Sequence, residues 1–246
     1  MSNREPIPAD ASFSTTRWSV ILLAQNEAHP GSHEAMEGFC RAYWYPLYAF
    51  LRRLGCPPTD AQDVVQDFFS QILERRTLAR IKPEGGRFRS FMMTGVKNVW
   101  LQSLEKARAI KRGGGALTIS LCAMDPEARY AAEPNEPGES PERVCDRHWA
   151  EALIEQVISR LAAEYAAEGR RERFECLRPF LQMSGDLTGT AEIAQQLGLT
   201  EAGVKSAILR LRQRQAILFR EEVERTVSSP EEAEAEIRYL ISVLAT

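Results

Sequence analysis

Asp60 to Glu74 reads DAQDVVQDFFSQILE. Ala61, Val64, Val65, Phe68, Phe69, Ile72 and Leu73 recur at the i, i+3, i+4, i+7 spacing that gathers side chains on one face of an α-helix. The other face is acidic and amide-bearing, with Asp60, Asp63, Gln66, Asp67 and Gln71. Asp60, Asp63 and Asp67 could serve a metal or acid/base chemistry, but no HxxxH or ExxH pattern accompanies them, so a docking face for a basic partner or a solvated face is expected instead.

Charge is distributed unevenly outward from this stretch. The 246 residues carry a net charge of only −3. From Gly85 to Gly113, however, Arg87, Arg89, Lys97, Lys106, Arg108, Lys111 and Arg112 face Glu105 alone, a local charge of +6, while Leu121 to Asp146 sets two arginines against seven acids, a local charge of −5. The basic segment interleaves its cations with Phe88, Phe91 and Trp100, the combination by which single-stranded nucleic acid is held, rings on bases and cations along phosphates. Aromatics at helical spacing are more often core, and at least one of Phe91 and Trp100 is expected to be buried.

No period-two strand pattern occurs, so the fold class is all-α, two small helical domains joined by an acidic flexible linker. A leader of residues 1–31 includes a short helix over Thr16–Gln25. A first domain spans 32–112, with helices over about Ser32–Leu54, where Pro46 predicts a kink or break, over the opening stretch with Thr59 or Asp60 as cap, and over Arg87–Ala109. Residues 113–140, rich in proline, glycine and acid, read as linker. A second domain spans 141–227: Pro141–Ala167, Arg171–Met183 bent at Pro179, Thr190–Leu197 and Thr200–Arg225. A last helix, Pro230–Leu244, is expected to pack on the second domain or to bind an inhibitory partner.

The second domain holds TAEIAQQLGLTEAGVKSAILRLRQR, in which Ala191, Ile193, Ala194 and Leu197 bury one helix, Gly198 turns the chain above a buried Leu199, and Thr200 caps a helix with Val204, Ile208 and Leu211 inward. Glu201, Lys205, Ser206, Arg210, Arg212 and Arg214 face outward, as a helix in a DNA major groove requires, or as a basic helical hairpin would also show. Glu201 either accepts from a cytosine amine or favours the helix N-terminus through its dipole.

Five cysteines without a CxxC pair support neither a zinc site nor a disulfide framework, so no metal or other cofactor is expected and a reducing, cytoplasmic compartment is. No apolar run is long enough for a membrane span, and the first residues lack a signal-peptide core. No nucleophile–base pair or phosphate loop points to an enzyme.

DAQDVVQDFF resembles the signature of the second conserved region of bacterial sigma factors, the promoter-specificity subunits of RNA polymerase. GRFRSFMMTGVKNVWLQSLEKARAIKRGGG resembles the promoter-melting segment after it, and FECLRPFL through AEIAQQLGLTEAGVKSAILRLRQRQ the fourth conserved region. Without room for the third region, the resemblance is to the two-domain extracytoplasmic-function group. It implies a transcription-initiation factor whose partners are core RNA polymerase and promoter DNA, with an anti-sigma factor or other regulator as a further partner. Asp60, Asp63, Gln66 and Asp67 would dock on the polymerase's largest subunit. Arg89, Phe91, Lys97 and Asn98, with the neighbouring Arg87, Arg108, Lys111 and Arg112, would engage the minus-ten element, and Thr200, Glu201, Lys205, Ser206, Arg210 and Arg212 the minus-thirty-five element. The acidic linker would thread polymerase channels as a nucleic-acid mimic. Phe91 replaces the family's usual tryptophan, Ala202 and Gly203 its glycine and threonine, and Ala207 its arginine; Thr188 to Thr190 also departs from its usual lead-in. Two other readings are a degenerate sigma-like helical interaction protein, favoured by Gly203 and Ala207, and a stand-alone helix-turn-helix regulator, which leaves the acidic face unexplained.

Overall fold

The computed structural model describes residues 32–74, 88–109, 125–133, 138–181, 188–227 and 229–245. The expected leader helix over Thr16–Gln25 lies outside them. The described residues are helical, with no strand among them.

Helix α1, Ser32–Arg53, runs through Pro46 as one continuous helix, so of the kink or break expected near Tyr45 the break is absent. Pro46 and its neighbours Tyr45, Leu47 and Tyr48 are all buried, and packing on both sides holds the turn that proline cannot hydrogen-bond. The helix closes where Gly55 N–H donates to the Arg52 carbonyl and Cys56 N–H to that of Leu51, a Schellman pattern. Helix α2, Pro58–Glu74, starts earlier than a cap at Thr59 or Asp60 would allow, because Pro58, with φ already fixed, suits the first helical position. Its stripe is buried as the spacing predicts: Ala61, Val64, Val65, Phe68, Phe69 and Ile72 are each at most 5% exposed. Helix α3, Phe88–Ala109, lies across α2, with Gly95 opposite the Phe68 ring.

Helix α4, Pro126–Ala132, falls inside the stretch expected to be open linker. Asp125 caps it, and it is held by long-range polar contacts rather than an apolar stripe. Glu127 accepts from Arg52 Nε and Nη2, both at 2.9 Å, and from the Tyr48 hydroxyl; Glu133 accepts from the Tyr45 hydroxyl and contacts His148 Nε2 at 2.9 Å. The Tyr130 ring sits beneath the Arg52 guanidinium, 5.1 Å away. The acids of this stretch therefore serve as internal partners. Arg147 binds Glu139 in the same way, at 2.8 Å.

Helix α5, Pro141–Ala167, is capped by Ser140 and connects two cores. Its first half, with Val144, Cys145, Trp149, Ala150 and Leu153, packs with α1, α2 and α3. Its second half, with Val157 and Leu161, packs with α6 (Arg171–Leu177), the 3₁₀ turn Arg178–Leu181 that follows at Pro179, α7 (Thr190–Gln196) and α8 (Glu201–Glu224). Helix α9, Pro230–Leu244, packs on α5 and α8, and its Leu240 joins the first core beside Val223 of α8. The halves expected as separate domains thus meet through α5 and the ends of α8 and α9. Phe88 N–H even donates to the Thr226 carbonyl at 3.1 Å, tying the start of α3 to the end of α8.

Candidate nucleic-acid and protein interfaces

Because the apolar stripe of α2 is committed to the core, its acidic face is left outward. Asp60, Asp63 and Asp67 are exposed and Gln66 is half-exposed. Asp63 and Asp67 have no ion pair among the described residues, so this face has uncompensated negative charge available for a cationic partner.

The outward stripe of α3 is different in character. Ser90, Thr94, Lys97, Asn98, Leu101, Gln102, Glu105 and Lys106 are exposed, a spacing that puts them along one side of the helix. Lys97 and Asn98 are the expected residues on it. Ser90, Thr94 and Gln102 stand in one i, i+4 row with Asn98 and Lys106, and Lys97 lies beside that row. Phe91 and Trp100 are half-buried, both against the first core, while Phe88 is fully buried. Arg87, Lys111 and Arg112 lie outside the described residues, as does the side chain of Arg108.

Arg89 departs from its expected place on the nucleic-acid face. It is 6% exposed and points into the molecule. Its Nε donates to Glu236 Oε1 at 2.6 Å, its Nη2 to Glu236 Oε2 at 3.4 Å and its Nη1 to Asp146. The Tyr239 ring lies 4.7 Å from the guanidinium carbon, and its hydroxyl donates to Asp146 Oδ2 at 2.6 Å. Burial alone would favour a neutral Arg89, but the bonds to Glu236 and Asp146 outweigh it and hold the proton more firmly than in water. Burial pushes the Asp146 carboxyl up, against the pull of Arg89 and Tyr239. A buried arginine must be paired to be tolerated, and the two carboxylates that pair it come from α5 and α9.

A second polar cluster surrounds His148. Its Nδ1 contacts Glu151 at 3.0 Å and its Nε2 Glu133 at 2.9 Å. Burial, which would lower the imidazole pKa, is outweighed by these two carboxylates, and the net shift is upward. Burial likewise would raise Glu133, but hydrogen bonds from His148 and Tyr45 bring it down. Among the described residues no group of three or more His, Cys, Asp or Glu side chains could hold a metal ion.

Helices α7 and α8 are joined by a turn in which Gly198 takes φ 62°, a conformation that a side chain disfavours. The Leu199 N–H donates to the Ala194 carbonyl at 2.8 Å, but the Leu199 side chain is 36% exposed and does not plug the core as expected. Ala191 is also exposed, and Ile193 and Leu197 are half-buried; Ala194 carries the inward packing of α7. Thr200 caps α8 by accepting from Gly203 N–H at 3.1 Å, and Val204, Ile208 and Leu211 are buried as expected. Thr200, Glu201, Lys205, Ser206 and Arg210 are exposed together along the first turns of α8. Arg212 is turned aside, its Nε donating to the Phe180 carbonyl at 2.8 Å, and Arg214 is bound to Glu164. Ala207 is 3% exposed, so the position where the resemblance expects arginine faces the core.

An open apolar groove of about 910 Å³ lies between α5, the 3₁₀ turn, α8 and α9, walled by Ile154, Val157, Ile217 and Ile241 with Arg178 and Arg220 at its edge. No helix of the described residues is long and apolar enough to cross a membrane.

Residues 39–110 match the family model of Sigma-70 region 2, a family of transcription initiation factors rather than enzymes. The matched segment takes in most of α1 and all of α2 and α3, hence both the acidic face and the α3 stripe. No curated protein and no solved structure matches the chain.

Proposed function

We propose that this chain is a sigma factor of the two-domain, extracytoplasmic-function type, which binds core RNA polymerase through α2, captures unpaired bases of the minus-ten element on α3, and reads duplex DNA at the minus-thirty-five element with α8. The observation that carries the reading is the match of residues 39–110 to Sigma-70 region 2, the segment that holds the acidic face of α2 and the polar, lysine-bearing stripe of α3. Asp60, Asp63, Gln66 and Asp67 supply the protein-docking face. Lys97, Asn98 and Lys106, with the half-buried Phe91, supply the single-strand face, where a ring needs only one free side to receive a base.

The duplex-reading assignment has weaker support, the exposed cluster at the capped end of α8. A helix whose cap and first two turns hold Thr200, Glu201, Lys205 and Ser206, followed by Arg210, offers base-edge partners and then a phosphate partner in the order a major groove needs. Ala207 does not count against this reading, because it packs inward. The groove beside α9 and the acidic first turn of that helix are where an anti-sigma factor or other regulator would be sought.

Reconstitution with bacterial core RNA polymerase on promoter DNA tests the proposal. Sequence-specific opening, read as permanganate-reactive thymines near the minus-ten element, is the expected result. Binding to core without opening of any promoter supports the degenerate interaction protein. Duplex binding with no affinity for core supports the stand-alone regulator.

A further inference from the structure

The groove between α5, the 3₁₀ turn, α8 and α9 holds apolar side chains open to solvent. Ile217 of α8 is 51% exposed and Ile241 of α9 is 44% exposed, and both line it together with Ile154, Val157 and Ile158 of α5. Single apolar residues scattered on a surface need no explanation, but several converging on one concavity of about 910 Å³, within the size range of small-molecule sites, call for one.

The charge around the groove is of one sign. Among the described residues that line it there is no Asp or Glu, and its charged members are Arg178, Arg212 and Arg220. These three differ in their partners. Arg220 pairs with Glu234 of α9. Arg178 stands 4.0 Å from Glu175, at the limit of an ion pair, with both side chains 58% exposed. Arg212 is half-buried and, among the described residues, makes one hydrogen bond, from Nε to the Phe180 carbonyl, and no ion pair. A half-buried guanidinium beside apolar side chains and without a carboxylate attracts an anion from outside the chain.

The groove therefore has a direction. The bond to Phe180 brings Arg212 to the 3₁₀ turn that holds Arg178, whereas about 12 Å further along α8 the charge of Arg220 is already neutralised. Ile217 lies between those two ends. We propose that the groove binds a fatty acid, its carboxylate paired with Arg212 and Arg178 and its hydrocarbon chain laid over Ile158, Ile217 and Ile241. A peptide helix carries charge along its whole length, but the cations without a close partner stand at one end only, which suits a ligand with a single anionic head. The site does not depend on the sigma-factor reading, and it lies apart from the acidic face of α2, the α3 stripe and the exposed cluster at the capped end of α8.

Isothermal titration calorimetry of the full chain with dodecanoate, kept below its micelle concentration, tests the site. Saturable one-to-one binding is expected, and its absence overturns the proposal. Dodecyltrimethylammonium, with the same chain and a cationic head, and decanoate, shorter by two methylenes, should each bind about tenfold more weakly or worse. Equal affinity for the two heads would mean that apolar surface acts alone, and overturns the proposal. Ile217→Glu and Arg178→Glu each change an exposed side chain, so circular dichroism should stay unchanged while dodecanoate binding falls about tenfold or more. Unchanged affinity in either variant places the ligand elsewhere and overturns the groove. A chain that sediments as a dimer, with Ile217→Glu a monomer, gives the groove to a second copy and overturns it too.

Discussion

A β-carbon placed on Gly95 of α3 would stand 2.5 Å from Cε2 of Phe68 on α2. Phe68 is 4% exposed and its ring packs against that of Phe69, so it has little room to withdraw. Gly95→Ala gains about 1 kcal/mol of helix propensity but overpacks the crossing by about 1–3 kcal/mol. A net loss of up to about 2 kcal/mol in chemical denaturation is expected. Adding Phe68→Leu should recover part of it, and additive losses in the double variant would remove the steric explanation.

Trp149 tests whether the halves share one core. Its ring lies 4.1 Å from that of Tyr43 and 5.8 Å from that of Phe88, and it is 1% exposed. Trp149→Ala should cost about 3–5 kcal/mol. Because α5 enters both cores, calorimetry of the unmodified chain should show one transition. Two well-separated transitions would mean that α5 does not couple them.

Those two sites also show what was readable from the sequence. The α2 stripe from Ala61 to Ile72 is buried throughout, and the helices Pro141–Ala167 and Pro230–Leu244 have the bounds expected, each with proline at its first position and, in the structure, a serine cap before it. Local periodicity and capping decide those features. Helix α4 was missed because its stabilising partners are remote: Glu127 binds Arg52, 75 positions away. Arg89 was misplaced for the same reason, its carboxylates lying 57 and 147 positions further along. An arginine among cations and aromatics looks nucleic-acid-facing until the distant acids are known to come home to it.

The His148 cluster gives a pH dependence with a definite sign. A histidine raised above its ordinary value of about 6.5 contributes stability that is complete below that value and is lost as pH rises through the folded pKa. Glu133, lowered on folding, contributes above its ordinary carboxylate range and loses this as pH falls through its folded pKa. Tyr45, Arg129 and Glu151 complete the surroundings. Melting temperature should therefore fall on the alkaline side of the histidine titration, and His148→Gln should flatten that limb. An identical limb in the variant would place the titrating group elsewhere.

Asp63 and Asp67 stand on the outward face of α2, so reversing them leaves the core untouched. Asp63→Lys with Asp67→Lys should change stability by about 0.5 kcal/mol or less per site, yet abolish binding to core RNA polymerase in a pull-down or by fluorescence anisotropy. Retained binding would refute α2 as the docking face.

On α8 three basic residues close in sequence should behave differently, because their surroundings differ. Lys205 and Arg210 are exposed, and a phosphate contact from either releases counterions. Lys205→Ala or Arg210→Ala should weaken duplex binding and reduce the slope of log affinity against log salt by about 0.9 each. Arg212, whose Nε is bound to the Phe180 carbonyl, holds the 3₁₀ turn to α8. Arg212→Ala should instead cost about 1–3 kcal/mol of stability by leaving that half-buried carbonyl unpaired, with the salt slope unchanged. A fall in slope for Arg212→Ala equal to that for Arg210→Ala would show that Arg212 leaves Phe180 for DNA, and the duplex-facing side of α8 would have to be redrawn around it.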